Sequence, residues 1–177
     1  VSVINANEEN VNKFGNIVTD YNVEEVEIQV WPEPGWRKVD KNTGDEGGIT
    51  EGPFEMFRSG DMMCAENHAV GGHYTTGWFG DPSQADPNSN RTDYGRIYVR
   101  EANYHPDGGQ VFYPREGQPF IALLALPGDD IKPEDFVAFY CDGSFGIQIK
   151  ADIWHQPPFS VNDQVVFDEK QSANPAC

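Results

Sequence analysis

Short runs of alternating apolar and polar residues, separated by turn residues, recur along most of this chain. Val26–Trp31 reads Val-Glu-Ile-Gln-Val-Trp and Arg96–Glu101 reads Arg-Ile-Tyr-Val-Arg-Glu. Alternation of period two marks half-buried strands. More continuous apolar runs lie at Phe120–Ala125 and Val137–Cys141, with strand signals also at Gln110–Tyr113, Phe145–Ala151 and Gln164–Phe167. Phe54–Arg58, Met62–Ala65 and Ala69–Trp78 supply further strand pieces, the last interrupted by Gly71, Gly72 and Gly77. The polar N-terminus predicts a short helix, and Phe14–Val18 predicts a turn into a strand. Strand signals recurring roughly every ten residues indicate an all-β sandwich or barrel.

Two stretches break this pattern. Residues 32–50 are rich in Pro, Gly and charge, with Trp31 and Trp36 placed to fold onto the body, and residues 79–93 are the clearest irregular segment. A loop of that length in a compact domain often serves as a lid. With 177 residues and no internal repeat, the chain reads as one domain spanning residues 1–177. The 11 Phe, 7 Tyr and 4 Trp offer bulky core material, while 18 Gly and 13 Pro weigh against long helices.

Charge and cysteine usage narrow the partners. A formal charge of −17, from 29 acidic against 12 basic residues, repels phosphate backbones and excludes nucleic acid. A small anionic substrate needs a local basic patch, for which Arg96, Arg100, Arg115 and Lys150 are the nearest cations to the informative stretch. Cys64, Cys141 and Cys177 show neither metal spacing nor a CxxC pair. Such a set fits a reducing compartment, so the expected location is cytoplasmic. No apolar run of about 18 residues exists to cross a membrane, and no leader-like stretch opens the chain. Phosphate-loop, GxSxG and HExxH motifs are all missing from the sequence.

Candidate chemistry concentrates between His105 and Phe159. The segment opens with His105-Pro106-Asp107-Gly108-Gly109-Gln110 and closes with Trp154-His155-Gln156-Pro157-Pro158-Phe159. Two imidazoles on neighbouring strands can face one interior, and imidazole titrates near neutral pH. His155 is the first acid/base candidate and His105 the second; the competing readings are a strand-end cap for His155 and a turn cap for His105. Gln110 cannot act as a base, but its amide both donates and accepts. For a metal, the His-x-His cluster with a following Glu is absent. His68 and His73 are five apart, so a regular strand points them to opposite faces unless Gly71 and Gly72 bend it. Bent, the chain could bring His68, His73, His105 and His155 together around a divalent ion, with Glu66 or Glu101.

Several of these pieces together resemble the ureidoglycolate lyase family of the cupin superfamily. They are His105-Pro106 followed by Gln110-Val-Phe-Tyr-Pro114, the strand Pro119–Ala125, Pro133–Phe139, and Gly-Ile-Gln-Ile-Lys150 leading to Trp154-His155. Phe14–Val18 resembles the family's N-terminal segment. The resemblance implies a cupin-like double-stranded β-helix, a small jelly-roll barrel with few short helices. It implies a carbon–nitrogen lyase that splits ureidoglycolate into glyoxylate and urea by histidine acid/base chemistry, without a cofactor, as a homodimer in purine catabolism. His155, His105 and Gln110 are then the catalytic candidates, and Arg100, Lys150, Trp154 and Tyr113 the substrate-binding ones, since a cation can pair with the carboxylate. Two departures stand out. Gln156 occupies a position where the family often has a second histidine, and residues 32–93 are enlarged. A metal-dependent cupin isomerase, epimerase or dioxygenase and a non-catalytic ligand-binding barrel are the alternatives.

Overall fold

The computed structural model describes residues 1–26, 49–106 and 108–172. The chain opens with β1 (Val3–Asn5), α1 (Glu8–Val11) and β2 (Gly15–Val18). The helix starts where it does because the Asn7 side chain accepts from the Asn10 backbone while Asn10 reaches back to Asn7, satisfying two amides that helix geometry leaves open. Next come β3 (Ile49–Ser59), β4 (Met62–Asn67) and β5 (Gly72–Trp78). After the irregular stretch follow β6 (Gln110–Pro114), β7 (Phe120–Ala125), β8 (Val137–Cys141) and β9 (Gly146–Ile149). The last strands are β10 (Trp154–His155), β11 (Phe159–Ser160) and β12 (Gln164–Ser172). Among the described residues no helix is long and apolar enough to cross a membrane.

These strands form two sheets. One runs β1-β8-β7-β10, with β11 also on β7; the other runs β2-β9-β6-β12-β3-β4-β5. Pairing is antiparallel except for β1 on β8. The fold is therefore all-β, as the strand spacing predicts, and cupin-like, as the family resemblance implies.

Alternation decides what lies between the sheets. On β7 the inward positions are Phe120, Ala122 and Leu124, and on β12 they are Val165 and Phe167, all buried. Phe167 stands edge-on to Phe120 at 5.1 Å and to Phe112 at 5.5 Å, and Phe112 edge-on to Phe54 at 5.4 Å. This chain of rings welds the sheets, since edge-to-face pairs add to the gain from burial. On the other face of β6, Val111 packs with Val18 and Val26, flanked by Tyr21 and Tyr113. Strand β6 is thus covered on both sides.

Three expectations need revision. Arg96–Glu101 forms no strand: only Tyr98 bridges Trp78, through bonds of 2.9 and 2.7 Å. Its alternation is genuine, but it lies beyond the edge strand β5 and pairs at a single point, too little to hold a ladder. Conversely, β12 continues five residues past Phe167, because β3 and β6 bond it from both sides and override its polar sequence. The stretch Phe145–Ala151 is trimmed to Gly146–Ile149. Of the remaining readings, 79–93 is irregular apart from one 3-10 turn at Pro82–Gln84. The strand at Val26–Trp31 lies outside the described residues beyond a buried Val26, and so do Trp31, Trp36 and all of 32–50 except Ile49 and Thr50, which open β3.

The turn between β8 and β9 depends on Gly143. Its φ of +91° is unfavourable for side chains, and a Cβ there would lie 2.1 Å from the Gly117 carbonyl oxygen. Gly143→Ala is expected to cost about 1–3 kcal/mol, read as a lower urea midpoint at unchanged slope. A midpoint like that of the parent would show that the turn is not strained.

Candidate active site

His155 sits on β10, next to Leu124 of β7, and its backbone exchanges two 2.8 Å bonds with Asn103. Three residues before it, Asp152 takes a left-handed φ of 63° and donates its N–H to the His105 carbonyl at 2.9 Å. Asp tolerates that conformation better than most residues. These tethers clamp the 103–105 segment onto the approach to β10. The two imidazoles consequently stack, with centroids 5.2 Å apart and planes 20° from parallel. His105 lies in a loop rather than a strand, and both rings are buried, at 8% and 4% exposure.

Gln110, the first residue of β6, completes the interior cluster. Its Oε1 lies 3.0 Å from His155 Nε2, and its Nε2 lies 2.9 Å from both Glu169 Oε1 and Gln171 Oε1. His155 Nδ1 is 2.7 Å from the Ile153 carbonyl, which only accepts, so Nδ1 carries a proton. The structure thus brings His105, His155 and Gln110 together. Glu169 and Gln171 join them without being picked out from sequence. The signal was present: Val165, Phe167, Glu169 and Gln171 share one face of β12, so extending the alternation past Phe167 places both polar residues inside.

Other sequence candidates lie elsewhere. Tyr113 is on the opposite face of β6 from Gln110, with its hydroxyl 3.4 Å from the Thr19 carbonyl. The Lys150 ammonium donates to the Asn12 carbonyl at 2.7 Å, and the Arg100 guanidinium lies 5.3 Å over the Trp78 ring. Trp154 points away from the histidine side of β10, donating to the Gly128 carbonyl at 3.2 Å and meeting Tyr104 edge-on. Gln156 is buried and donates to the Glu101 carbonyl, so the position where the family often has histidine here ties two loops together. A separate surface groove is lined by Asn7, Lys13, Phe14, Leu126, Val137 and Phe139 among others, none of them from this cluster.

The interior histidines do not fit a metal centre. Protein atoms already engage both His155 nitrogens. Among the described residues only Glu55, Glu66 and His68 bring three candidate ligand atoms within 4.8 Å of one another. That trio is on the β3–β4 edge of the structure, where His68 Nε2 meets Glu55 at 2.9 Å. His73 pairs with Glu66 across β4 and β5, so His68 and His73 are on this side and His105 and His155 in the interior. The four-histidine set does not converge. Among the described residues, Cys64 and Cys141 are not poised as nucleophiles: burial pushes Cys141 up to about 12 and raises Cys64.

Electrostatics separates two groups in the cluster. Burial, then the adjacent His105, pushes His155 down from 6.5 to about 3, so it stays neutral. Burial, reinforced by Glu51 and opposed by the Gln110 hydrogen bond, pushes Glu169 up from 4.5 to about 8. Their effects on stability have opposite signs. The His155 contribution is complete above pH 6.5 and is lost as pH falls toward 3, because the unfolded chain gains that proton first. The Glu169 contribution is complete below pH 4.5 and is lost as pH rises toward 8. Unfolding free energy is therefore expected to peak between pH 4.5 and 6.5 and to decline from 6.5 to 8. Urea titrations over a pH series check this, and a rise through the upper window would contradict it.

An all-β sandwich holding stacked histidines and a polar cluster at one end of its core is a cupin-like protein. A model of the ureidoglycolate lyase family matches residues 54–177, and the chain belongs to that family. Its ureidoglycolate lyase relative from Azotobacter vinelandii (strain DJ / ATCC BAA-1303) is 32% identical over 83 residues, 46% of this chain and 50% of the relative. The one from Salmonella enteritidis PT4 (strain P125109) is 39% identical over 83 residues, 44% of this chain and 51% of the relative. The chain spans about half the length of the curated relatives it matches. The family match takes in β3 from Phe54 onward, then β4 and β5, and leaves out Phe14–Val18.

Proposed function

We propose that this protein cleaves the C–N bond of ureidoglycolate, or of a closely related carbinolamide acid, giving glyoxylate and urea. The stacked histidine pair at the polar end of the sandwich carries the reading. Of the two rings His105 is the more exposed, and it is the one that meets the substrate. His105 takes the hydroxyl proton as the C–O electrons form the carbonyl. The C–N bond breaks, and the departing urea nitrogen receives that proton from His105. His155 positions His105 and, by staying neutral, leaves room for its transient positive charge, since two stacked imidazoles charge together only at high cost.

The wider reading is one cupin-like unit, because β1 and β2 pair into the two sheets through β8 and β9. Unpaired thiols at Cys64 and Cys141 support a cytosolic setting. The exposed Val3 and Ile4 on edge strand β1 support a homodimer, and nitrogen recovery from purines is the role that fits the substrate.

The experiment is a coupled glyoxylate assay on the purified protein. Equal release of glyoxylate and urea is expected, unchanged by exhaustive chelation. Finding neither product would reject the activity, and turnover that stops on chelation would reject the metal-free mechanism.

A further inference from the structure

Behind the histidines stands a buried carboxyl that the proposed reaction does not use. Glu169 is 0% exposed, and its Oε2 has no hydrogen-bond partner. Its neighbour Lys170 is turned to the other side of the strand, donating to the Tyr21 carbonyl at 2.8 Å. The groups that act on Glu169 come from each flanking element. Glu51 of β3 adds negative charge, Gln110 of β6 hydrogen-bonds it, and Gln171 lies beside it on β12. From the N-terminal segment the Tyr21 hydroxyl donates to its main-chain oxygen at 3.1 Å, and the two histidines lie beyond Gln110. An ionised carboxylate with one bare oxygen is costly in such surroundings.

Gln110 joins this carboxyl to His155, and its amide can serve in two senses. With its oxygen toward His155 Nε2, that nitrogen must carry a proton in addition to the one Nδ1 gives Ile153. The ring is then an imidazolium, and Glu169 a carboxylate. Exchanging oxygen and nitrogen of the planar amide moves no heavy atom appreciably. In that second sense the Gln110 N–H donates to a neutral His155, and its oxygen accepts from a protonated Glu169 and a turned Gln171 amide. Both arrangements hold the same number of protons. The first buries two charges and leaves Glu169 Oε2 as a bare anionic atom, whereas the second buries none.

We propose that Glu169 is a positioning residue: as a neutral carboxylic acid it donates to the Gln110 oxygen, orienting that amide so that its N–H faces His155 Nε2 and keeps His155 neutral. Only the consequence for turnover rests on the lyase reading. When Glu169 loses its proton to solvent, the amide turns its N–H to the carboxylate and its oxygen to the unprotonated His155 Nε2. Two acceptors then face each other, and the ring beneath His105 loses the hydrogen bond that orients it.

Infrared spectroscopy and ¹⁵N NMR of the whole protein without substrate test the arrangement. At neutral pH a carboxylic-acid carbonyl band is expected that Glu169→Gln removes and that disappears as pH passes about 8. His155 should show a protonated Nδ1 and a bare Nε2. Glu169→Gln should retain that histidine signature, because its amide donates to Gln110 as the acid does. Absence of the acid band at neutral pH, or a protonated Nε2, overturns the proposal. If Glu169→Gln fails to fold, the parent spectra decide alone through the loss of the acid band with pH. With ureidoglycolate, kcat should fall on the alkaline side in the parent but not in Glu169→Gln, and an unaltered alkaline limb overturns the proposal. Because the spectra need no substrate, a protein with these signatures and no turnover rejects the activity while upholding the arrangement.

Discussion

Turnover of ureidoglycolate is expected to fall by roughly 10²–10⁴-fold when His105 becomes alanine, the range that a positioned acid/base group contributes. The proposed step needs an imidazole at that point twice, to take the hydroxyl proton and to return it to nitrogen. Alanine supplies neither, and water is poorly placed to substitute. His155→Ala should produce a loss of similar order by another route. It removes the ring stacked 5.2 Å below His105 and the partner that Gln110 meets at 3.0 Å. The two variants therefore differ in rescue. Added imidazole should restore part of the rate to His105→Ala, at the place where proton transfer occurs, and little to His155→Ala. Near-parental turnover in His105→Ala would remove the central residue of the mechanism.

Phe167→Ala is expected to cost about 3–5 kcal/mol, the usual range for deleting a buried phenyl ring. Set against a typical domain stability of about 5–15 kcal/mol, the variant sits near the edge of folding. Phe167 is fully buried on β12 and touches Phe112 in its own sheet and Phe120 across the gap. Losing it opens a cavity between two rigid sheets, which cannot collapse as a surface site can. The same strand carries Glu169 and Gln171, so the cavity should also loosen the polar cluster. Urea unfolding gives the magnitude. A loss below about 1 kcal/mol would mean that this ring chain does not bind the sheets together.

Most strands were legible because period-two alternation reports burial directly. The more continuous apolar runs around Phe120–Ala125 and Val137–Cys141 were legible by length and apolar content, and correspond to β7 and β8 within a residue at each end. Arg96–Glu101 shows where that signal misleads, since alternation says which face is apolar and not whether a neighbour exists to pair with. The histidine cluster was legible only in part. His105, Gln110 and His155 stood out by residue type and by the family likeness. Glu169 was hidden because a carboxyl in the run Asp168-Glu169-Lys170 looks like a solvated surface. Arg100 and Lys150 attracted notice as cations near the segment, but nearness in sequence gave no indication of the direction each takes in space.

By itself, the amino-acid order determined that this chain builds antiparallel strands with aromatic inner faces and carries two histidines flanking them. Such information is local, written in the alternation of each strand. Only the tertiary structure decided that the two rings stack, that Gln110 stands between His155 and Glu169, and that the acid loses its solvent. Those outcomes depend on which strands become neighbours and on the low polarity of the space they enclose, and neither is a property of any single segment.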